Sequence, residues 1–316
     1  MLEVTRFLLV SIVVPDLDKA LDRYHTLFGL EPSQRRPIPE MAVEMAVLPL
    51  DSRGYAIELV APSRAAPQDP AARQSAQSLA AFLDRRGPGI HHLTFEVADF
   101  DAAVAHLEDR GAPTSVSEVQ GDKGTHPLAV VHPRSCRGVM FELLPPGAFV
   151  PEPAEPGSSI FRRFLNTSCV TQDLDHAVAT YADLFGFTAT QEATVPEMAV
   201  RSAIFTIGGD DVLESFAPLP AGQRSLPRYS TDAEAALDKF LERRKEGPYR
   251  LALEVHDYEA TLGRLDAQSV PYVPFDLELD TGPLRVAVVS PRATTGVMFE
   301  VCEPGNAAYK PFSSHP

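Results

Sequence analysis

The stretch DLDKALDRYHTLFG at residues 16–29 returns as DLDHAVATYADLFG at residues 173–186, an interval of 157 residues. The same interval carries Pro39-Glu40-Met41-Ala42-Val43 onto Pro196-Glu197-Met198-Ala199-Val200. Further along, Glu96-Val97-x-Asp99 returns as Glu254-Val255-x-Asp257, and Gly138-Val139-Met140-Phe141-Glu142 as Gly296-Val297-Met298-Phe299-Glu300. There the interval is 158, so one residue has been inserted. Self-similarity at a fixed period means duplicated structural units, and the chain is two homologous halves.

A second, weaker repeat lies inside each half. Around residues 7–28 an apolar strand, Asp16 and an amphipathic helix follow one another. Around residues 91–110 alternating Leu93, Phe95 and Val97 lead to Asp99 and a helix with Phe100, Val104 and Leu107. Asp16 and Asp99 each end a strand and precede helical spacing, the place of an N-cap. Short alternating segments then read as strands: Ala42–Leu50, Ala56–Val60, Ala129–His132 and Val139–Leu143. Each quarter is therefore βαβββ, and there are four. Short helices are expected at Ser75–Arg86 and Thr231–Lys245, closed by Gly87 and Gly247. The expected class is α+β, with four βαβββ modules paired into two tandem domains built on curved mixed sheets. The first domain takes residues 1–146 (modules at about 5–62 and 88–145) and the second 160–306 (modules at about 160–218 and 247–305). Residues 147–159, rich in Pro and Gly, read as a linker, and 307–316 as a tail.

Composition narrows the function classes. The 316 residues are 44% hydrophobic and 22% charged, with room for sizeable cores. The net charge of −15 is the wrong sign for nucleic acid or an anionic membrane. The longest apolar run, near Phe7–Val14, is well below the ~20 residues that span a bilayer. Glu3 and Arg6 interrupt the start, unlike a secretion signal, so a cytoplasmic protein is expected. Cys136, Cys169 and Cys302 lack the spacing of a disulfide framework or thiolate zinc site. No Walker loop, nucleophile elbow or dinucleotide fingerprint is present.

These modules, with Val14-Pro15-Asp16-Leu17, Gly89-Ile90-His91-His92-Leu93 and Gly138–Glu142, resemble the vicinal oxygen chelate superfamily of glyoxalases, epimerases, extradiol dioxygenases and fosfomycin-resistance proteins. The first half is most similar to methylmalonyl-CoA epimerases, through Pro39–Val43, Ile57-Glu58-Leu59, Gly89–Val97, Val131-His132-Pro133 and Gly138–Leu143. The resemblance implies one divalent metal in a cup, held by residues of the first and last strands of two modules. Mapped here, the ligands are Glu58, His92 and Glu142, and the fourth position, usually histidine, is Leu9. One imidazole and two carboxylates suffice for a catalytic divalent site of Zn, Mn, Co, Ni or Fe(II). Residue alternation puts His91 on the opposite face from His92. The resemblance further implies Glu40 as a proton-transfer base, with Glu142 as its partner.

In the second half the four positions are Asn166, Glu214, Arg250 and Glu300. A guanidinium cannot ligate a metal, and between two carboxylates it supplies charge and five donors instead. A degenerate, metal-free site held by ion pairs is expected. Neither half offers the two-histidine, one-carboxylate triad of iron oxygenases. The implied activity is metal-assisted proton transfer next to a carbonyl or thioester, of epimerase, isomerase or lyase type, on a small carbonyl or acyl-CoA substrate. Two other readings stay open: a non-catalytic binding protein with an apolar cup, and a metal-free isomerase or lyase using Glu40 and His92. A monomer or homodimer is expected. His126 and His132 read as structural, and Arg35-Arg36 as solvated surface.

Overall fold

The computed structural model describes residues 2–67, 70–121, 124–195, 199–220, 223, 230–279 and 282–305. Glu197 and the tail at 307–316 lie outside the described residues. The first sheet contains β1 (Val4–Val13), β2 (Gln34–Ile38), β3 (Val43–Pro49), β4 (Ala56–Pro62), β5 (Gly89–Val97), β6 (Thr114–Gly121), β7 (Gly124–Val131) and β8 (Met140–Leu144). Their order in space is β2-β3-β4-β1-β5-β8-β7-β6. The second sheet repeats it with β9 (Phe161–Val170), β10 (Ala189–Val195), β11 (Val200–Ile207), β12 (Asp210–Pro218), β13 (Gly247–Val255), β14 (Tyr272–Leu279), β15 (Gly282–Val289) and β16 (Met298–Cys302). Each is a mixed, eight-stranded sheet made of two modules joined through their first strands, β1 to β5 and β9 to β13.

Helices α1 (Leu17–Phe28), α3 (Phe100–Asp109), α4 (Leu174–Phe185) and α6 (Tyr258–Ala267) each follow the first strand of a module. All four start at an aspartate, Asp16, Asp99, Asp173 and Asp257, whose carboxylate accepts the backbone N–H three residues on. That bond satisfies one of the amide donors a helix start leaves open, worth about 1 kcal/mol. Between the modules of each half run α2 (Pro70–Arg86) and α5 (Ser230–Arg244). Helix α2 begins five residues before the expected Ser75, because proline is tolerated in a first turn, where its missing N–H has no helical partner. It closes on Gly87 in the left-handed conformation, φ +70°. In α5 that position is Lys245 at φ +69°, not the expected Gly247, which instead opens β13 as Gly89 opens β5.

The convex faces of the two sheets share one continuous apolar core, in which the first helix of each half lies on its own sheet and turns aromatic side chains against the sheet of the other. Phe28 of α1 meets Phe299 at 4.8 Å, and its repeat partner Phe185 meets Phe141 at 4.7 Å. Tyr24 and Tyr181 stand edge-on to the same two rings, each at 5.8 Å. Phe7 stacks on Phe164 at 5.6 Å. Such pairs add about 0.5–1.5 kcal/mol each beyond the area they bury. Two glycines permit the close approach. A Cβ on Gly138 would overlap the Glu246 carbonyl, and one on Gly296 the Pro88 carbonyl, its counterpart across the repeat.

The concave face of the first sheet is the cup. Its edge strands meet at the rim, where Arg36 of β2 donates to the Gln120 carbonyl of β6. Leu8, Leu9, Val13, Val43, Met45 and Val60 line its apolar wall, and Leu79, Phe82 and Leu83 of α2 pack into it. The three cysteines are buried free thiols. Among the described residues no helix is long and apolar enough to cross a membrane.

Candidate functional site

Strand register brings the expected site residues together. Ser11 of β1 lies opposite Glu58 of β4 on one side and His92 of β5 on the other. One row along, Leu9 is opposite Ala56 and Thr94, and Thr94 is opposite Glu142 of β8. Directly opposed residues project to the same face of a sheet, so Glu58, Ser11, His92, Leu9, Thr94 and Glu142 form two adjacent rows on the cup floor. His92 Nε2 is 3.2 Å from Glu142 Oε2 and 3.5 Å from Glu58 Oε2. The Ser11 hydroxyl donates to Glu58 Oε2.

The position of His91 corrects the sequence reading. Between Ser11↔His92 and Ile12↔Ile90 the β1–β5 register slips, leaving His91 as the extra residue of a β-bulge. A bulge breaks the alternation that would have sent His91 to the other face. The two imidazoles instead meet, Nδ1 to Nδ1 at 2.9 Å, and His91 stands edge-on to Phe82 at 4.7 Å. Burial disfavours the charged form of His92, but Glu142 and Glu58 outweigh it and push its pKa up to about 10. Burial, then the charges of His92 and Arg86, push His91 down to about 3. At neutral pH the metal-free pair is an imidazolium whose Nδ1–H donates to a neutral neighbour. That bond fixes the orientation of His92 and turns Nε2 toward the carboxylates, the arrangement by which ligating histidines are commonly held.

Among the described residues no three His, Cys, Asp or Glu side chains stand as a ready metal cage. The donor set nonetheless fits a divalent ion. His92 Nε2 is buried and makes no aligned hydrogen bond. It lies from both carboxylates at the ~3.0–3.5 Å that separates neighbouring ligands bound at about 2.1 Å. Loading would require His92 to lose its Nε2 proton.

Glu40 sits apart. It occupies a single helical turn, Pro39–Met41, which Ala42 closes at φ +51°. Its carboxylate accepts the Gln120 N–H at 2.9 Å across the cup rim. No described contact joins Glu40 to Glu58, His92 or Glu142. His132 accepts the Arg134 N–H at 3.1 Å, a turn-forming contact.

In the second cup the Arg250 guanidinium stands where His92 stands in the first. It donates to Glu214 at 2.8 Å, to Glu300, and through Nε to Ser168 at 3.0 Å. Ser168 donates to Glu214 at 2.6 Å, and Ser202 to its other oxygen at 2.8 Å. Burial raises the Glu214 pKa, but Arg250 and the two hydroxyls overcome it and hold the carboxyl below its ordinary value. The ion-pair network expected between Arg250, Glu214 and Glu300 is present. Tyr249 fills the equivalent bulge position and packs on Phe240 at 4.9 Å, as His91 packs on Phe82.

Sequence reasoning missed Ser11, Thr94 and the filling of the cup by α2. Ser11 carried one signal, since it interrupts the apolar run Phe7–Val14 and returns as Ser168 at the repeat interval.

The first half is similar to the mitochondrial methylmalonyl-CoA epimerase of Homo sapiens, 32% identical over 135 residues, 42% of this chain and 70% of that protein. Over the whole chain the fold is that of a mutant 4-hydroxymandelate synthase from Streptomyces coelicolor. That match has a TM-score of 0.66 at 16% identity and covers 96% of this chain and 94% of that one. A Mn(II)-bound glyoxalase from Novosphingobium aromaticivorans matches with a TM-score of 0.61 at 12% identity, over 96% of this chain and 83% of that one. With the family profile matching residues 10–129 and again 167–283, the chain belongs to the glyoxalase/bleomycin resistance protein/dioxygenase superfamily.

Proposed function

We propose that the first half, taken as a domain of residues 1–146, is an enzyme moving a proton next to a carbonyl or thioester, with a small carbonyl or acyl-CoA compound as substrate. The observation that carries this reading is the convergence of Glu58, His92 and Glu142 on the cup floor, in the half that is similar to an epimerase. Those three side chains would hold one divalent ion. Such an ion polarises the substrate's carbonyl oxygen and stabilises the charge that develops when the α-proton leaves.

The chain's own residues do the rest. Glu142 serves one face of the α-carbon, and Glu40, freed from Gln120 at the rim, the other. Leu9, Val13, Val43, Met45 and Phe82 exclude water from the reacting group. His91 holds the His92 ring through its Nδ1. The second half shapes the cleft and covers the convex face of the first sheet.

The test is exchange of the α-proton of acyl-CoA substrates in deuterated water. Glu142→Gln and Glu40→Gln are each expected to slow exchange about 10²–10⁴-fold, the usual worth of a general acid or base. Undiminished exchange in Glu142→Gln would overturn the assignment.

The charged state of His92 favours a second reading, in which the metal-free protein works as an isomerase or lyase with Glu40 as base and His92 as acid. Chelator separates the two: it abolishes exchange in the first and leaves it unchanged in the second.

A further inference from the structure

We propose that the Thr94 hydroxyl supplies the fourth donor of the divalent centre, in the place that Leu9 leaves without one, and that the centre is consequently built for a hard cation such as Mn(II). This rests on the metal reading above.

Thr94 is 3% exposed, and its Oγ1 has no hydrogen-bond partner. A buried hydroxyl without a partner is costly to maintain unless something binds it. Its place in the sheet says what. Thr94 is the cross-strand neighbour of Leu9 on one side and of Glu142 on the other. It therefore projects into the cup from a position next to the one whose donor is missing. His92, two residues earlier on the same strand, is the other floor residue with a buried polar atom lacking an aligned partner. Ser11 differs from Thr94 in that its hydroxyl already has a partner, donating to Glu58, and it lies in the row of His92 rather than in that of Leu9.

The second cup supports the exchange of roles. There the register pair is Asn166 with Ala252, polar on β9 and apolar on β13. In the first cup the pair is Leu9 with Thr94, apolar on β1 and polar on β5. Each floor keeps one polar side chain in this register pair, carried by opposite strands.

Replacing an imidazole by a hydroxyl changes the metal preference. The donor set becomes one nitrogen and three oxygens. Oxygen ligands favour Mn and Mg, whereas imidazole favours Zn, Ni and Cu. Threonine hydroxyls ligate Mg(II) in phosphate-binding loops, so the donor type has precedent.

The experiment is Mn(II) titration of the full chain, followed by the loss of the free aquo-ion signal in electron paramagnetic resonance, with a parallel Zn(II) titration. Wild type is expected to bind one Mn(II) per chain. Thr94→Val, which keeps the shape and removes the oxygen, should weaken Mn(II) by at least the ~10–100-fold typical of losing a group that only supports a ligand. Thr94→Ser should stay within a few-fold of wild type. The metal-free Thr94→Val protein should melt no lower than wild type, since it loses no bond.

Mn(II) affinity unchanged in Thr94→Val overturns the proposal. So does a wild type that binds Zn(II) but not Mn(II), although the metal reading then survives. A wild type that binds no divalent ion overturns both.

Discussion

The two cups hold different cations between equivalent glutamates. In each, a cation from the fifth strand of its half lies between two glutamates: His92 between Glu58 and Glu142, Arg250 between Glu214 and Glu300. A serine from the first strand, Ser11 or Ser168, hydrogen-bonds the glutamate of the fourth strand in both. Imidazolium can give up its proton and leave a lone pair for a metal, whereas guanidinium cannot. In the proposed reading the first cup exchanges its internal cation for an external one. The second has that cation built in. Duplication supplied two copies of one scaffold, and the pair shows two ways of balancing the same two glutamates.

The largest effect expected from breaking this comparison is at Arg250. Arg250→Ala leaves Glu214 and Glu300 buried without their cation, and loss of one partner of a buried pair costs about 3–5 kcal/mol. Urea unfolding should show a correspondingly lower midpoint. A triple variant with Met at 250 and Leu at 214 and 300 should recover much of the loss, because apolar packing replaces the whole network.

A second way to separate the cups is pH. The His92 pKa is raised in the folded, metal-free protein, from 6.5 to about 10. Its contribution to stability is therefore fully present below pH 6.5 and is lost as pH rises through 10. Melting of chelated wild type from pH 6.5 to 10 should show this loss. His92→Gln should lack it, and Arg250, which does not titrate, adds nothing to it. Glu214 behaves in the opposite sense, with stability present above its unfolded value of 4.5 and lost in acid.

Smaller effects sharpen the comparison by showing where the halves are alike. Asp16→Ala and Asp173→Ala remove equivalent caps and should each cost about 1 kcal/mol. The smallest contrast concerns Gly87 and Lys245, which hold the same left-handed position after α2 and α5. Lys245→Gly should stabilise the chain by about 0.5–1 kcal/mol by relieving a side chain in that region.

The repeat made the fold legible, because an interval of 157 or 158 residues maps elements onto elements. Local signals did the rest: Asp16 and Asp99 marked helix starts through chemistry that is nearly obligatory at those ends. His91 was misplaced because a bulge is a property of two strands, and neither strand alone shows the slip. Thr94 was silent for a related reason. A threonine is at home in any strand, and only the emptiness around its hydroxyl distinguishes it. Leu9, by contrast, was informative as a departure from the family pattern, and it led to the neighbour that stands across from it.

The proposed difference between the cups is that one takes a metal and the other carries its own cation. The most direct test is divalent metal per chain, by plasma mass spectrometry, on wild type and His92→Ala reconstituted with Mn(II) and desalted. One equivalent in wild type and none in His92→Ala is the expected result. Two equivalents, one equivalent that survives in His92→Ala, or none in wild type would contradict it.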